Sequence, residues 1–196
     1  LRKRLQAVEE EQREQTKKRN KLLYQSEHDE LTGLYNKRSL NRYLEDVFEA
    51  CKLNEKELGI LFLDIDYFKQ LNDRYGHGKG DEGICAVADT LKKIFPEDYV
   101  ARYGGDEFLV VMTGRDLAYA MEHAELLCAG IRESKISNED SELEPWLTIS
   151  VGGVCAIPKE PNRVWDFLSA ADNTLYEQKK EQKGKVRFYQ GEGKYL

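Results

Sequence analysis

Two adjacent glycines followed by two adjacent carboxylates, Gly104-Gly105-Asp106-Glu107, stand between two short runs that read as β-strands, inside the segment Arg102 to Phe108. No other stretch of the chain narrows the possible folds as much. Glycine weakens strands, Asp is depleted from them, and neighbouring carboxylates repel one another unless a cation or an ordered loop reconciles them. The segment fits a turn that lets a phosphate approach the backbone while carboxylates hold a metal. It fits an ordinary hairpin turn equally well, because Gly-Gly and Asp also mark such turns.

With 196 residues the chain has room for one domain with a conventional core plus an appendage. Its longest apolar run, Leu58 to Leu63, is a strand's worth and far short of a membrane span. No signal-peptide pattern is present, which predicts a cytosolic location, either alone or as the cytosolic part of a larger, membrane-bound sensor. Cys51, Cys85, Cys128 and Cys155 are far apart and lack Cys-x-x-Cys spacing, so they read as reduced core residues. Charge is uneven: residues 1–25 carry eight basic side chains against four acidic ones, net +4, and the remainder carries 22 against 32, net −10. A globular part that acidic excludes nucleic-acid binding through a general field. A phosphate substrate would need a bound metal and a few placed lysines to attract it.

Residues 1–25 lack Gly and Pro and read as one helix, and residues 26–196 as the globular domain. Leu1, Leu5, Val8, Gln12, Gln15, Arg19 and Leu22 follow a four-three spacing, the seam of a two-stranded coiled coil with a polar middle. A lone solvated helix is the alternative. Helical periodicity covers Asn36 to Leu53, with Asn36 as N-cap, then Lys79 to Phe95, Leu117 to Glu133 and Val164 to Lys183. Strands are predicted over Gly59 to Asp66, Tyr99 to Gly104, Glu107 to Met112, Trp146 to Ile157 and Val186 to Tyr189, with a polar loop from Ser137 to Glu144. Alternating strands and helices with one direct hairpin predict an α/β fold, a sheet with helices packed on it.

The strand from Ile60 ends in Asp64-Ile65-Asp66, with both carboxylates on one face of the sheet. A divalent cation is the simplest partner for charges there, and hard oxygen ligands with phosphate suit magnesium. Alternatively, Asp66 caps a following helix, Tyr67 to Arg74. A strand ending in acids beside an acidic hairpin is the arrangement of a polymerase palm, where metals activate a hydroxyl for in-line attack on phosphorus.

These motifs resemble the GGDEF family of diguanylate cyclases, and the resemblance runs from about Asp29 to the last strand. It is carried by Asp29-Glu30-Leu31-Thr32-Gly33-Leu34-Tyr35-Asn36-Lys37-Arg38, by Asp64-Ile65-Asp66-Tyr67-Phe68-Lys69, by Asn72-Asp73, and by Gly76-His77 with Gly80-Asp81. Arg102 to Phe108, Thr148-Ile149-Ser150-Val151-Gly152, and Ala171-Asp172 with Leu175-Tyr176 and Lys179 complete it. The resemblance implies a palm-like, nucleotidyl-cyclase-like central mixed sheet flanked by helices and preceded by a coiled-coil helix. It also implies a homodimeric signalling enzyme that condenses two GTP into cyclic di-GMP with release of pyrophosphate, one GTP per subunit, below an upstream sensor.

By the same resemblance, Asp64, the carbonyl of Ile65, and Asp106 would hold Mg2+, or Mn2+ in its place, and Glu107 would assist catalysis with Asp106. Asn72 and Asp81 match the guanine readers, with helix capping as the plainer role for both. Gly104 and Gly105 line the substrate, and Phe68 and Lys69 would offer backbone amides to the β- and γ-phosphates. Lys179 matches a phosphate-binding lysine. Leu175, Lys179 and Lys183 share one helix face by spacing, but the family has Arg where Lys183 stands and its glycine falls later here, at Gly184. Upstream of the hairpin, members under product inhibition carry Arg-x-x-Asp; this chain has Phe95-Pro96-Glu97-Asp98, and no inhibitory product site is expected. A catalytically silent GTP-binding and dimerisation module is the rival reading. His28, His77 and His123 are not spaced as a metal cluster; His77, in the loop near the proposed base pocket, is expected to bond locally, and Trp146, Trp165 and most tyrosines to be core or edge aromatics.

Overall fold

The computed structural model describes residues 2–191, with side chains from residue 10 onward. Helix α1 (Arg2–Glu27) leads into a short strand β1 (Tyr35–Asn36) and helix α2 (Lys37–Leu53). Strand β2 (Leu58–Ile65) precedes α3 (Phe68–Tyr75) and α4 (His77–Ile94). The hairpin β3 (Tyr99–Gly104) and β4 (Glu107–Thr113) is followed by α5 (Leu117–Glu133), β5 (Ile149–Ala156), α6 (Val164–Glu181) and β6 (Val186–Phe188). The strands form one mixed sheet in the order β1-β3-β4-β2-β5-β6. The outer pairs β1–β3 and β5–β6 are parallel, and the inner ladders are antiparallel.

β2 is central and covered on both faces, which is why its sequence is continuously apolar rather than alternating. Leu58, Ile60 and Phe62 point to one side and pack with α2 and α6 through Leu44, Phe48 and Phe167. Leu61, Leu63 and Ile65 point to the other, against Ile84, Val87 and Leu91 of α4 and Leu127 and Ile131 of α5. The end of β2 therefore emerges between two filled cores, and whatever it carries there is held in place. Asn36 caps α2, its Oδ1 accepting from the Ser39 amide at 3.0 Å.

Several boundaries differ from the sequence expectation. β5 starts at Ile149, because Trp146 instead forms an isolated bridge with Ser137 and closes the polar loop. α6 ends at Glu181, so Lys183 lies beyond the helix and does not share a helix face with Leu175 and Lys179. Trp165 is 47% exposed and is not a core residue. All four cysteines are free thiols; Cys51 and Cys128 are buried, Cys85 and Cys155 only partly. Of the stalk seam, Leu1 lies outside the described residues, as do the side chains of Leu5 and Val8; Gln12, Gln15, Arg19 and Leu22 are exposed. No helix among the described residues is long and apolar enough to cross a membrane.

Candidate active site

Asp64 and Glu107 face each other across the β2–β4 ladder, and Ser150 of β5 flanks Asp64 on the other side. By strand alternation all three project to the sheet face covered by α2 and α6. From the last turn of α6, Lys179 reaches this face and its Nζ meets Asp64 Oδ1 at 2.6 Å. The turn carrying Asp106 is fastened to the same place, the Ile65 amide donating to the Asp106 carbonyl at 3.3 Å. Crowding of like charge is visible in the titration of these groups. Burial first, and then the charge of Asp64, push the Asp106 carboxyl upward. Glu107 is pushed up by burial and by Asp64, Asp106 and Asp172 in turn, with Lys37 opposing.

Such a cluster has spare affinity for positive charge. Lys179 already demonstrates that Asp64 accepts a cation at contact distance, and the donors, carboxylate oxygens with a main-chain carbonyl nearby at Ile65, are the hard set that magnesium prefers. Among the described residues no three His, Cys, Asp or Glu side chains converge into a metal cage. Asp64 and Asp106 therefore fit an ion that draws its other ligands from phosphate and water, as magnesium does in nucleotide sites.

The glycine pair is explained only in part by the fold. Gly105 has φ +49°, a left-handed conformation that side chains strain, and its carbonyl accepts from Arg102 Nε and Nη2 at 3.0 and 2.8 Å. Gly104 has no positive φ, and a Cβ added there would meet nothing within 4 Å. Packing within the chain thus does not ask for glycine at 104. Arg102 also donates from Nη1 to both Asp29 oxygens at 3.1 and 3.2 Å, and Asp29 accepts from the Thr32 amide and hydroxyl. Although burial alone would raise it, these bonds hold the Asp29 carboxyl below the ordinary range.

Asp66 does not cap α3. It is fully buried, accepting from Thr148 Oγ1 at 2.9 Å and Ser150 Oγ at 2.6 Å, and burial pushes its carboxyl up in spite of those bonds. Ser150 Oγ in turn accepts from the Gly184 amide at 3.0 Å, and Arg132 donates to the Gly184 carbonyl. This buried network pins the exit of α6 to β5, and it draws the chain out of helix before Lys183. The Lys183 ammonium sits 4.0 Å from the centroid of the Tyr67 ring instead. Tyr67, in the left-handed region at φ 54°, turns the chain sharply from β2 into α3. The first bond of that helix runs from the Leu71 amide to the Tyr67 carbonyl, so the amides of Phe68 and Lys69 belong to the open first turn.

Asn72 and Asp81 lie on α3 and α4, and neither caps a helix. Asn72 Oδ1 is buried without a hydrogen-bond partner, and a Cβ on Gly80 would overlap it, so α4 is notched where the amide sits. Asp81 beside that notch is exposed. At the former product-site positions Phe95 is core, 1% exposed, and Asp98 accepts from the Tyr119 hydroxyl at 3.2 Å. His28 and His123 bond locally through Nδ1, to the Gly33 and Tyr119 carbonyls.

The structure thus gathers Asp64, Asp106, Glu107 and Lys179 at one end of the sheet, with the Phe68 and Lys69 amides at the adjoining turn. It separates Lys183 from the α6 face. Sequence reasoning missed Arg102 as the clamp on the hairpin, the Asp66–Thr148–Ser150–Gly184 network, and Lys37 and Asp172 as charged neighbours of Glu107. The alternation Thr148-x-Ser150 opposite Asp64-x-Asp66 was the available signal for the network.

The profile of the family described as "Diguanylate cyclase, GGDEF domain" matches residues 26–185. The probable diguanylate cyclase DgcC of Escherichia coli K12 is 31% identical over 164 residues, 83% of this chain and 43% of that protein. Diguanylate cyclase DgcM of the same organism is 30% identical over 88% of this chain and 41% of its own length. The chain therefore spans about two fifths of the curated relatives it matches. Among solved structures, the coiled coil and GGDEF domain of DgcB from Caulobacter crescentus, in complex with c-di-GMP, superposes with a TM-score of 0.84 at 22% identity, covering 94% of this chain and 97% of that one, a likeness of fold. Diguanylate cyclase SiaD from Pseudomonas aeruginosa, in complex with its activator SiaC, gives 0.73 at 27% identity over 96% of this chain and 72% of that one.

Proposed function

Because this chain belongs to the GGDEF-domain diguanylate cyclase family, we propose that it condenses two GTP into cyclic di-GMP with release of two pyrophosphates, acting as a homodimer with one GTP per subunit. The observation that carries the proposal is the convergence of Asp64, Asp106 and Glu107 with Lys179 at a sheet end whose Gly104 is unexplained by internal packing. A silent GTP-binding relative would share these metal ligands, so product formation is what separates the two readings.

Asp64, the Ile65 carbonyl and Asp106 are the groups that would hold Mg2+ or Mn2+, which when bound neutralises the triphosphate and acidifies the attacking hydroxyl. The chain's own residues do the rest. Amides of Phe68 and Lys69 and the ammonium of Lys179 take the β- and γ-phosphates, orienting the α-phosphate toward Gly104 and Gly105. Asn72 and Asp81 read guanine, the side-chain amide and the carboxylate pairing by hydrogen bonds with the acceptor and donor edge of the base. Glu107, with its carboxyl raised by burial and by its acidic neighbours, would assist at the metal site or near the attacking 3′-hydroxyl. Lys183, stacked on Tyr67, borders the phosphate turn rather than extending the α6 row.

One site holds one GTP, and each 3′-hydroxyl must attack the α-phosphate of the other nucleotide. Two domains must meet face to face, with α1 as the stalk that sets their geometry below a sensor. Incubating the protein with Mg2+ and GTP and assaying pyrophosphate and cyclic dinucleotide tests the proposal, with Asp106→Ala as control. Cyclic di-GMP from the parent and none from the variant supports it. No product at any protein concentration overturns it in favour of a binding module.

A further inference from the structure

We propose that Lys179 is the resident counter-ion of Asp64 in the nucleotide-free protein, and that it yields Asp64 to a divalent cation only when a triphosphate is present to receive its ammonium. Metal and nucleotide then load as a coupled pair. This rests on reading Asp64 as a metal ligand.

The ion pair is short, 2.6 Å, and largely withdrawn from water, the side chains being 27% and 17% exposed. Asp64 is therefore occupied. A metal arriving alone finds Asp64 already paired with an ammonium whose charge also bears on Asp106. It would also sit within a few ångströms of that like charge, where repulsion in a partly buried site is only weakly screened. Among the described residues no third acidic side chain is placed to complete a cage and offset this.

A triphosphate changes the balance because it gives Lys179 a second anionic partner nearby. The exit of α6 is fixed against the turn into α3: Lys183 lies on the ring of Tyr67, and Gly184 is tied to Ser150, which also bonds Asp66. The open amides of the first α3 turn begin at the next residue, Phe68. A phosphate bound at those amides would be the second partner for the ammonium of Lys179, which stands on the last turn of α6. The exchange preserves charge pairing throughout, ammonium on phosphate and metal on Asp64. By linkage, whatever factor the nucleotide adds to metal affinity the metal adds to nucleotide affinity.

The test is Mn2+ binding followed by the electron paramagnetic resonance of free Mn2+, with and without a GTP analogue carrying a methylene bridge between the α- and β-phosphorus. For the parent, Mn2+ affinity rises by more than about tenfold when the analogue is present. In Lys179→Met, affinity for Mn2+ alone rises about tenfold, analogue affinity falls by a similar factor, and the coupling shrinks toward unity. Lys179→Arg keeps the charge and keeps the weak binding of Mn2+ alone. A purely structural lysine would lower both affinities on substitution, and that result overturns the proposal. So does a parent that binds Mn2+ equally well with and without the analogue, a measurement independent of whether any variant folds. Asp64→Asn separates the underlying reading: if it binds Mn2+ with analogue as the parent does, Asp64 is not a ligand and the site assignment itself fails.

Discussion

Gly152 is where the fold and the site are most tightly joined, and replacing it by Ala exposes the connection. β5 runs flush beneath α6, and a Cβ at Gly152 would lie 2.6 Å from Leu175 Cα and closer still to the Leu175 amide nitrogen and the Ala171 carbonyl. These are backbone atoms of a helix and cannot rotate away. Restoring ordinary contact requires α6 to rise by roughly 1 Å. Overpacking against backbone costs about 3 kcal/mol, which for a domain of this size lowers Tm by about 6–12 °C. The same displacement moves the backbone that mounts Lys179, four residues beyond Leu175, and disturbs its 2.6 Å contact with Asp64. Gly153→Ala is the control, since its Cβ would meet the Phe188 ring, a side chain at the sheet edge. Calorimetry and a pyrophosphate-release assay on both variants decide the matter. Gly152→Ala loses stability and kcat/KM together, whereas Gly153→Ala loses mainly stability. A Gly152→Ala protein melting within about 1 °C of the parent and equally active would refute the account of α6 as the rigid mount of Lys179.

Asp106→Asn removes one of the charges that raise Glu107, so the ligand-free variant melts about 1–4 °C higher while product formation falls more than about a hundredfold; a lower Tm contradicts the crowding argument. The pH dependence of ligand-free stability follows from Asp66, Asp98, Asp106, Glu107 and Asp172, all raised in the fold. The native protein then binds protons more readily than the unfolded chain, so stability is fullest below the ordinary carboxylate range and declines as pH rises through the raised values; Asp29, lowered, opposes this only on acidification below its own ordinary value of 3.8. A metal-free melting series from pH 7 down to about 4 shows rising Tm, and a falling one refutes it. Added cyclic di-GMP leaves the initial rate unchanged, because Phe95 is core where a product-binding arginine would stand; strong inhibition at low micromolar product overturns this. Deleting the stalk makes specific activity depend on protein concentration, and full activity of the shortened chain at high dilution removes the stalk from the mechanism.

The sheet and its covering helices were legible because β2 is apolar throughout and the helices carry regular stripes, so period and polarity agreed with the tertiary environment. The acids of the site were legible for the opposite reason: charges at the end of a buried strand contradict local rules. What could not be read was set by partners distant in sequence. Asp66 looks like a helix cap until Thr148 and Ser150 supply hydroxyls from β5. Lys183 continues a four-residue spacing that the chain abandons, because Ser150 and Arg132 hold Gly184 in a left-handed turn. β1, two residues long, has no periodicity to detect, and it exists because Tyr35 pairs with Ala101.

The same long-range contacts join the stalk to the hairpin. Rings of Tyr24, His28, Tyr35, Tyr99 and Tyr43 stack in succession with centroids 4.0, 4.5, 4.1 and 3.9 Å apart, running from the last turns of α1 over β1 and β3 to α2. One residue after His28, Asp29 clamps Arg102, which holds the Gly105 carbonyl. A helix tied at two points to the strand that ends in the glycine pair cannot pivot without disturbing that pair. Leu22 and Leu23 of α1 are 58% and 52% exposed. The last turns of α1 and the turn carrying Gly105 are therefore joined through a run of stacked rings and the Asp29–Arg102 ion pair.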